Sequence, residues 1–459
     1  MKYSKSQIMS RAYKIPELKF EDQNLTSFAG LVIFQPLMMA LELKNRLWHC
    51  FHHLNLSRIF GPHIITMLLI VHLLLGYRRL RDVSYYQDDP MVKRLLGLNQ
   101  LPDVSTVSRA LGSLDGLSIE KMRELCRNLV IERLKKIAIY RLTLDFDGSV
   151  LWTLSRTTEG TAVGYNRKRK GARSYYPLFC TLAQTGQVFD VFPRPGNVHD
   201  SHGAREFILA CIACLQKALP WVKIEVRMDS AFFSDAIVSE LDEKGVEFSL
   251  SVPFERFVEL KKQIEERSRW RTLDATWSYF ECAWKPKKWQ KTYRFLFIRQ
   301  RCAAIRKEPI QLDLFVPHEY GYEFKVIVTN KWASGKKVLM YHNGRASQES
   351  VLGELKSQSQ MDYVAVRNLL GNQLFMMAAV LSHNLNRELQ MRVRAPERGT
   401  SEKRAPLWVF EELRSLRHRL LQRAGRFTNP HGNLTLTLSA NESVKTGLLE
   451  YLEAAKEPL

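Results

Sequence analysis

The sequence predicts a mixed α/β protein with helical regions at both ends. Three observations predict this class: helical spacing up to about residue 140, strand-like alternation from Leu142, and a long apolar helix after Tyr363. The 459 residues are 45% apolar and 25% charged, which is ordinary for globular proteins and sufficient for two or three domains. A well-packed core is therefore expected rather than disorder.

The chain is strongly basic, with 68 Lys and Arg against 47 Asp and Glu and a net charge of +21. Such a charge suits a polyanion, and nucleic acid is the first candidate partner. An anionic membrane is the competing partner, but the longest apolar run, 64–76, is too short to span one and contains His72. The N-terminus lacks a secretory signal and the seven cysteines are scattered, so a cytoplasmic location is predicted.

Residues 1–140 are predicted to form a helical DNA-binding domain. Apolar residues recur at helical spacing in the stretches Leu31–Leu47, Ile64–Leu75 and Met122–Ile137. Leu101–Leu114 is predicted as a helix that begins at Asp103 or Ser105 and exposes Arg109. It is either a recognition helix, with Arg109 on DNA, or an ordinary capped helix of a bundle.

A short strand and a turn are predicted at Arg141–Ser149, RLTLDFDGS, because apolar and polar residues alternate until a glycine. The strand ends at Asp147. Substrates meet open α/β sheets at the carboxyl ends of strands, so Asp147 is the first candidate catalytic acid. Asp145 lies on the same face and is the alternative candidate for this acid.

A second acidic strand follows in a recognisable order of elements. The predicted order is strands Ser174–Leu182 and Gln187–Phe192, helix His202–Lys217, strand Lys223–Asp229, helix Asp235–Glu243 and strand Glu247–Val252. With the Asp147 strand this gives the order expected of a ribonuclease H-like fold. Alternation places Asp229 where it can face the same crevice as Asp147, provided that their strands are neighbours.

Two cationic segments are candidate DNA contacts. The loop Gly164–Arg173 carries five basic residues, among them Lys168 and Arg169, and is either a solvated loop or a clamp on the phosphate backbone. Residues 255–322 are predicted to form a β-rich insertion domain with many Lys and Arg. Its tryptophans either stack on unpaired bases or fill a small β core; they are Trp270, Trp277, Trp284 and Trp289.

A further acid is predicted in a helix after the insertion. A strand at Glu323–Thr329 is followed by a helix that Ser347 can cap, with Glu349 in its first turn and Lys356 two turns later. The long apolar helix Tyr363–Leu389 comes next. The predicted domains are thus 1–140 (helical), 141–254 with 323–390 (catalytic), 255–322 (β-rich insertion) and 391–459 (helical, basic).

Together these acids resemble the DDE transposases of bacterial insertion sequences. The resemblance rests on Asp147 in DFDGS, Asp229 in RMDSAFF and Glu349 in YHNGRASQESVLGELK. The closest likeness is to the group with a Tyr-Arg-Glu-Lys pattern, whose spacing Arg345, Glu349 and Lys356 meet.

Three details of the sequence bear on this resemblance. Tyr341 is one residue further from Arg345 than in the commonest form of the pattern. The resemblance favours Asp147 over Asp145, since the family has a small residue after the catalytic acid and Gly148 follows here. The 120 residues between Asp229 and Glu349 (349 − 229) leave room for the extra β domain of such enzymes.

The resemblance implies cleavage at terminal inverted repeats and joining of the ends to target DNA. It implies two Mg²⁺ ions, with Mn²⁺ as an alternative, held by Asp147, Asp229 and Glu349. It also implies double-stranded DNA as partner, a homodimer on that DNA, and a bacterial, nucleoid-associated location. The candidate DNA contacts are Tyr341, Arg345, Lys356, Lys168, Arg169 and Arg109.

Two other functions remain open on the sequence. One is a ribonuclease H-like nuclease without strand transfer, against which the long basic terminal regions weigh. The other is a DNA-binding protein descended from a transposase, although all three acids are present.

Overall fold

The computed structural model describes residues 15–54, 59–164, 166, 169–199, 202–301 and 321–454. The helical character predicted for the N-terminal region is confirmed, with helices at Phe34–Ala40, Leu43–Phe51, Pro62–Leu75, Pro90–Leu96, Val104–Gly112 and Gly116–Lys135. The helix Pro62–Leu75 is apolar and buried on nearly every side, as expected for a core helix. Within the described ranges, no helix has the length and apolarity needed to cross a bilayer.

Asp103 is the N-cap of the helix Val104–Gly112. Of the two predicted starts, Asp103 and Ser105, the structure therefore has Asp103. Its side chain accepts a hydrogen bond from the backbone N–H of Thr106 at 2.6 Å. Arg109 is exposed on this helix, where its guanidinium donates to the hydroxyl of Thr106 at 3.1 Å.

The strands form one large mixed sheet and two small ones. Their bounds are β1 Leu25–Thr26, β2 Arg141–Gly148, β3 Leu151–Thr153, β4 Ala162–Val163, β5 Arg173–Tyr175, β6 Leu178–Leu182, β7 Val188–Phe192, β8 Lys223–Met228, β9 Glu247–Val252, β10 Arg271–Thr272, β11 Trp277–Trp284, β12 Tyr293–Arg301, β13 Tyr322–Thr329, β14 Gly425–Thr428 and β15 Thr435–Leu438. The large sheet has the order β10-β11-β12-β13-β9-β8-β2-β6-β7. In it β2, β8 and β9 are parallel and the other pairings are antiparallel.

The predicted order of three strands, helix, strand, helix and strand is confirmed, with one correction. The single strand predicted at Ser174–Leu182 is wrong, because the chain leaves β5 at Tyr176 before it enters β6. Pro177 has no N–H to donate, and the N–H of Tyr176 donates to Arg194 O at 2.8 Å.

The strands of the tryptophan-rich segment continue the large sheet. β11 and β12 form an antiparallel pair, and β13 joins them to β9. Trp289 is buried and stacks on Phe233, while Trp284 packs edge to face against Phe295. These tryptophans therefore fill a core. The domain boundaries themselves stay a prediction.

Three helices of the second half position the site: the flanking helix Gly335–Asn343, the site helix Ala346–Ser357 and the central helix Leu369–Val393. The central helix begins at Leu369 rather than Tyr363, because the Asn372 side chain binds the backbone N–H of Ala365 and Val366. It packs against the N-terminal helices. The others are Ala204–Ala218, Asp235–Glu243, Val258–Glu265, Leu413–Leu416 and Glu442–Ala454.

Candidate active site

The first two predicted acids follow one another on neighbouring strands. β2 and β8 are parallel, with Asp145 opposite Arg227 and Phe146 opposite Met228. Asp147 is the next residue of β2, Asp229 directly follows β8, and alternation places both on the same face. We call them the acid pair. The prediction that their strands are neighbours is confirmed.

The structure distinguishes Asp147 from Asp145. Asp145 is fully buried and accepts hydrogen bonds from Arg227 Nε at 2.6 Å and Nη2 at 2.7 Å. Its two oxygens are thus occupied by a bidentate ion pair. The side chain of Asp147 keeps 20% of its surface exposed. Asp147 is therefore the acid of β2 that faces the crevice.

Asp147 is held in an unusual electrostatic environment. Its Oδ1 accepts from the N–H of Gly148 at 2.8 Å and its Oδ2 from Arg345 Nη1 at 3.3 Å. Burial raises the pKa of Asp147 to about 6; the negative charge of Asp229 also raises it, while Arg345 lowers it. Asp229 is half-buried and accepts from the N–H of Ala231 at 3.0 Å. The repulsion that Asp229 exerts on Asp147 favours a bound cation.

Close packing explains the glycine after Asp147. A Cβ on Gly148 would lie 2.6 Å from the hydroxyl oxygen of Tyr176. Arg194 fixes the adjoining loop, because its Nε donates to Tyr176 O at 3.0 Å and its Nη1 to His199 O at 3.1 Å. The Tyr176 ring and the loop therefore form one wall beside the acid pair.

The site helix packs its first turn onto β2. Gln348 is buried, and its Nε2 donates to Asp145 O at 2.8 Å. The prediction that Ser347 caps this helix is wrong: Arg345 is the residue before the first turn, and Ser347 donates to Gly344 O at 2.9 Å instead. The contact of Gln348 with β2 fixes which side of the helix faces the sheet.

The third predicted acid, Glu349, differs from the acid pair in its exposure. Each residue of a helix is rotated by about 100° from the one before it, so Glu349 does not share the sheet contact of Gln348, and it is exposed. Across the described ranges, no three His, Cys, Asp or Glu side chains form a group able to hold a metal ion. Asp229 acts electrostatically on Asp147, whereas Glu349 acts on Lys325.

Lys325 of β13 is the electrostatic neighbour of Glu349. Burial lowers the pKa of Lys325 to about 8; Arg345 lowers it further and Glu349 opposes the shift. The ammonium group donates to Asn343 Oδ1 over a long 3.5 Å. Two cations therefore lie beside these acids: Arg345 contacts Asp147, and Lys325 interacts with Glu349.

The predicted DNA contacts differ in their exposure. Tyr341 is 1% exposed, and Lys331 Nζ lies 4.2 Å from its ring centroid, so in this structure Tyr341 has no surface for a phosphate. Lys356 is half-buried in the last turn of the site helix. Arg169 is exposed, with its guanidinium 3.7 Å above the ring of Trp152. Lys168 lies outside the described residues.

Sequence reasoning missed several residues of this site. Arg227 could have been found, because alternation already places it on the face of Asp145. Gln348 and Lys325 gave no signal, since their contacts depend on the register of distant segments. His342 is likewise buried, 2.9 Å from the hydroxyls of both Ser249 and Ser251.

The sequence matches a family of enzymes over nearly its whole length. The family "Transposase DDE domain group 1" matches residues 10–457. The chain therefore belongs to the DDE transposases. Among curated proteins, none matches it.

Two solved transposases are similar in structure at low identity. The piggyBac transposase synaptic complex with hairpin DNA is 12% identical, covers 92% of this chain and 85% of its own, and gives a TM-score of 0.45. The Mos1 transposase paired-end complex with left transposon end is 14% identical, covers 37% of this chain and 56% of its own, and gives a TM-score of 0.17.

Proposed function

We propose that this DDE transposase cleaves DNA at the terminal inverted repeats of an insertion sequence and joins the ends to target DNA. The observation that carries the proposal is the acid pair, Asp147 and Asp229, at the carboxyl ends of adjacent parallel strands. The strand order β7-β6-β2-β8-β9 supports a ribonuclease H-like catalytic core. The net charge of +21 supports DNA as the partner.

The acid pair has the chemistry of a Mg²⁺ site. Mg²⁺ prefers hard oxygen ligands, and a cation would relieve the repulsion that contributes to the raised pKa of Asp147. We propose that Asp147 and Asp229 hold the metal, Mg²⁺ or Mn²⁺, and that Glu349 joins them when DNA binds. Two such ions would stabilise the negative charge that develops on the phosphate oxygens during cleavage.

The cations of the crevice would orient the DNA. Arg345 binds Asp147 here, and its guanidinium is suited to bidentate contact with a phosphate. We propose that it exchanges Asp147 for the DNA backbone and that Lys356 grips the same strand. Arg109 and Arg169, both exposed, would bind DNA further away. A homodimer would hold the two transposon ends together.

The test is cleavage and joining of labelled terminal-repeat DNA in the presence of Mg²⁺. Wild-type protein should cut and join, whereas Asp229→Asn should bind DNA without cutting it. Asp88→Asn, which alters a fully exposed acid, is the matched control and should cut normally. Cleavage without joining would identify a nuclease instead, and binding alone would contradict the proposal.

A further inference from the structure

Lys325 lies on the same sheet face as the acid pair, towards the same end. β13 is antiparallel to β9, with Ile327 opposite Ser251. Ser249, two residues before Ser251, is opposite Arg227 of β8. Asp229 is therefore level with Ser251, and Lys325 is one alternate position further towards the end of the sheet where Asp229 lies.

Lys325 and Lys331 both lie on the polar face of the sheet, but they differ in their ion pairs. Lys331 is bound to two glutamates, Glu225 and Glu247. In the described part of the chain, no carboxylate lies within 4.0 Å of Lys325, and its hydrogen bond is the long one to Asn343. Lys325 is half-buried all the same. A charge withdrawn from water in this way needs a counter-ion.

The groups around Lys325 favour an anion as that counter-ion. Arg345 is a second cation close by, and the imidazole of His342, whose pKa burial holds well below its usual value, is neutral. Glu349 is the acid that acts on Lys325, and it is exposed. Arg345 is paired with Asp147 at 3.3 Å, whereas the charge of Lys325 is opposed by the solvent-facing Glu349 and by no ion pair among the described residues.

We propose that Lys325 contacts a phosphate of the DNA strand that is cut, and so directs this strand onto the acid pair. The inference rests on the proposed function and adds a phosphate-binding residue to it. A phosphate would supply the anion that Lys325 lacks. Its charge would also hold the proton on Lys325, whose pKa is otherwise lowered to about 8.

Protection of the lysine from acetylation tests the contact directly. Asp229→Asn protein, which should not cut, is acetylated with and without terminal-repeat DNA, and peptides containing Lys325 and Lys336 are quantified by mass spectrometry. Lys336 is the exposed control on the flanking helix. We expect DNA to slow the acetylation of Lys325 several-fold more than that of Lys336. Equal rates with and without DNA would overturn the inference.

Substitutions then test the consequence for cleavage. Lys325→Met should reduce the rate of cleavage by tenfold or more. It should also remove about one phosphate contact, which lowers the slope of log binding constant against log salt concentration by about 0.9. Lys325→Arg should restore most of the cleavage rate and of the salt dependence, and Lys336→Met should behave as wild type. Normal cleavage by Lys325→Met would overturn the inference.

The two proposals fail in different ways. If wild-type protein cleaves DNA while Lys325 stays unprotected, the inference fails and the proposed function stands. If wild-type protein never cleaves but DNA protects Lys325, the proposed function fails and the phosphate contact stands.

Discussion

The polar face of the large sheet has two halves that use the same residue types differently. We call them the buried half and the rim. The buried half consists of Arg141, Glu225, Glu247, Lys331 and Arg404. The rim consists of Asp147, Asp229, Lys325, Arg345 and Glu349.

In the buried half each glutamate forms ion pairs with lysine or arginine side chains. Glu225 is completely buried and accepts hydrogen bonds from Arg141, Lys331 and Arg404. Burial acts to raise the pKa of Glu247, but hydrogen bonds from Lys223 and Lys331 outweigh it and lower the pKa to about 2. These charges are compensated within the protein, so their role is structural.

At the rim the shifts have the opposite sign. The pKa of Asp147 is raised to about 6 and that of Lys325 lowered to about 8, in both cases chiefly by burial. Each group is thus moved towards its neutral form. Buried ionisable groups whose pKa is shifted in this way are candidates for a binding site. The comparison shows that ion pairs keep Glu225 and Glu247 charged, whereas burial outweighs the nearby charges at Asp147 and Lys325.

Breaking the buried half should have the largest effect on stability. Lys331→Met leaves Glu225 and Glu247 with fewer partners, and loss of one member of a buried ionic network costs about 3–5 kcal/mol. Urea denaturation of this variant measures the loss. Lys325→Met is the matched variant from the rim and should lose less than about 1 kcal/mol. Equal losses would contradict the division into halves.

Asp147→Asn should stabilise the protein while it abolishes cleavage. The pKa of Asp147 in the folded state is about 6, whereas its usual value is 3.8. This difference of about 2 units means that ionisation of Asp147 costs the folded state at most about 3 kcal/mol. The substitution removes this cost, but loss of the Arg345 contact reduces the gain in stability. The folded state binds this proton more tightly, so wild-type stability should fall as the pH rises from about 4 to about 6. Denaturation across this range should show a flatter profile for the variant; identical profiles would refute the assigned environment.

Mg²⁺ should stabilise the rim in a pH-dependent manner. At ten times its dissociation constant a ligand adds about 1.4 kcal/mol, which should appear as a higher melting temperature. The gain should shrink below about pH 6, because a proton competes for Asp147. Asp229→Asn should show no gain, and Asp88→Asn should match wild type. A gain that persists in Asp229→Asn would place the metal elsewhere.

The smallest effect is expected far from this face, at Arg109. Arg109→Ala should leave stability within about 0.5 kcal/mol, since the side chain is exposed. If its helix meets DNA, binding should lose about one phosphate contact from its salt dependence. Titration of terminal-repeat DNA at several salt concentrations measures this. An unchanged slope would favour an ordinary bundle helix.

Much of the fold follows from local patterns. The bounds of Asp235–Glu243 and Glu247–Val252 agree with prediction to the residue, because apolar period and turn residues are local signals. The break at Tyr176 and the late start of the central helix were missed. The first depends on the backbone of Arg194, which belongs to a later segment. The second depends on the side chain of Asn372, whose hydrogen bonds to Ala365 and Val366 are not visible in an apolar periodicity.

The sequence by itself determined that Asp147 and Asp229 lie at the ends of two strands and that Glu349 lies in the first turn of a helix, since alternation and turn residues are local features of the chain. Only the tertiary structure decided that Arg227 forms an ion pair with Asp145, that Tyr341 is buried, and that Glu349 is exposed. The physical reason is that neutralisation of a charge depends on strand register and helix rotation between segments distant in sequence. No local pattern encodes these relations.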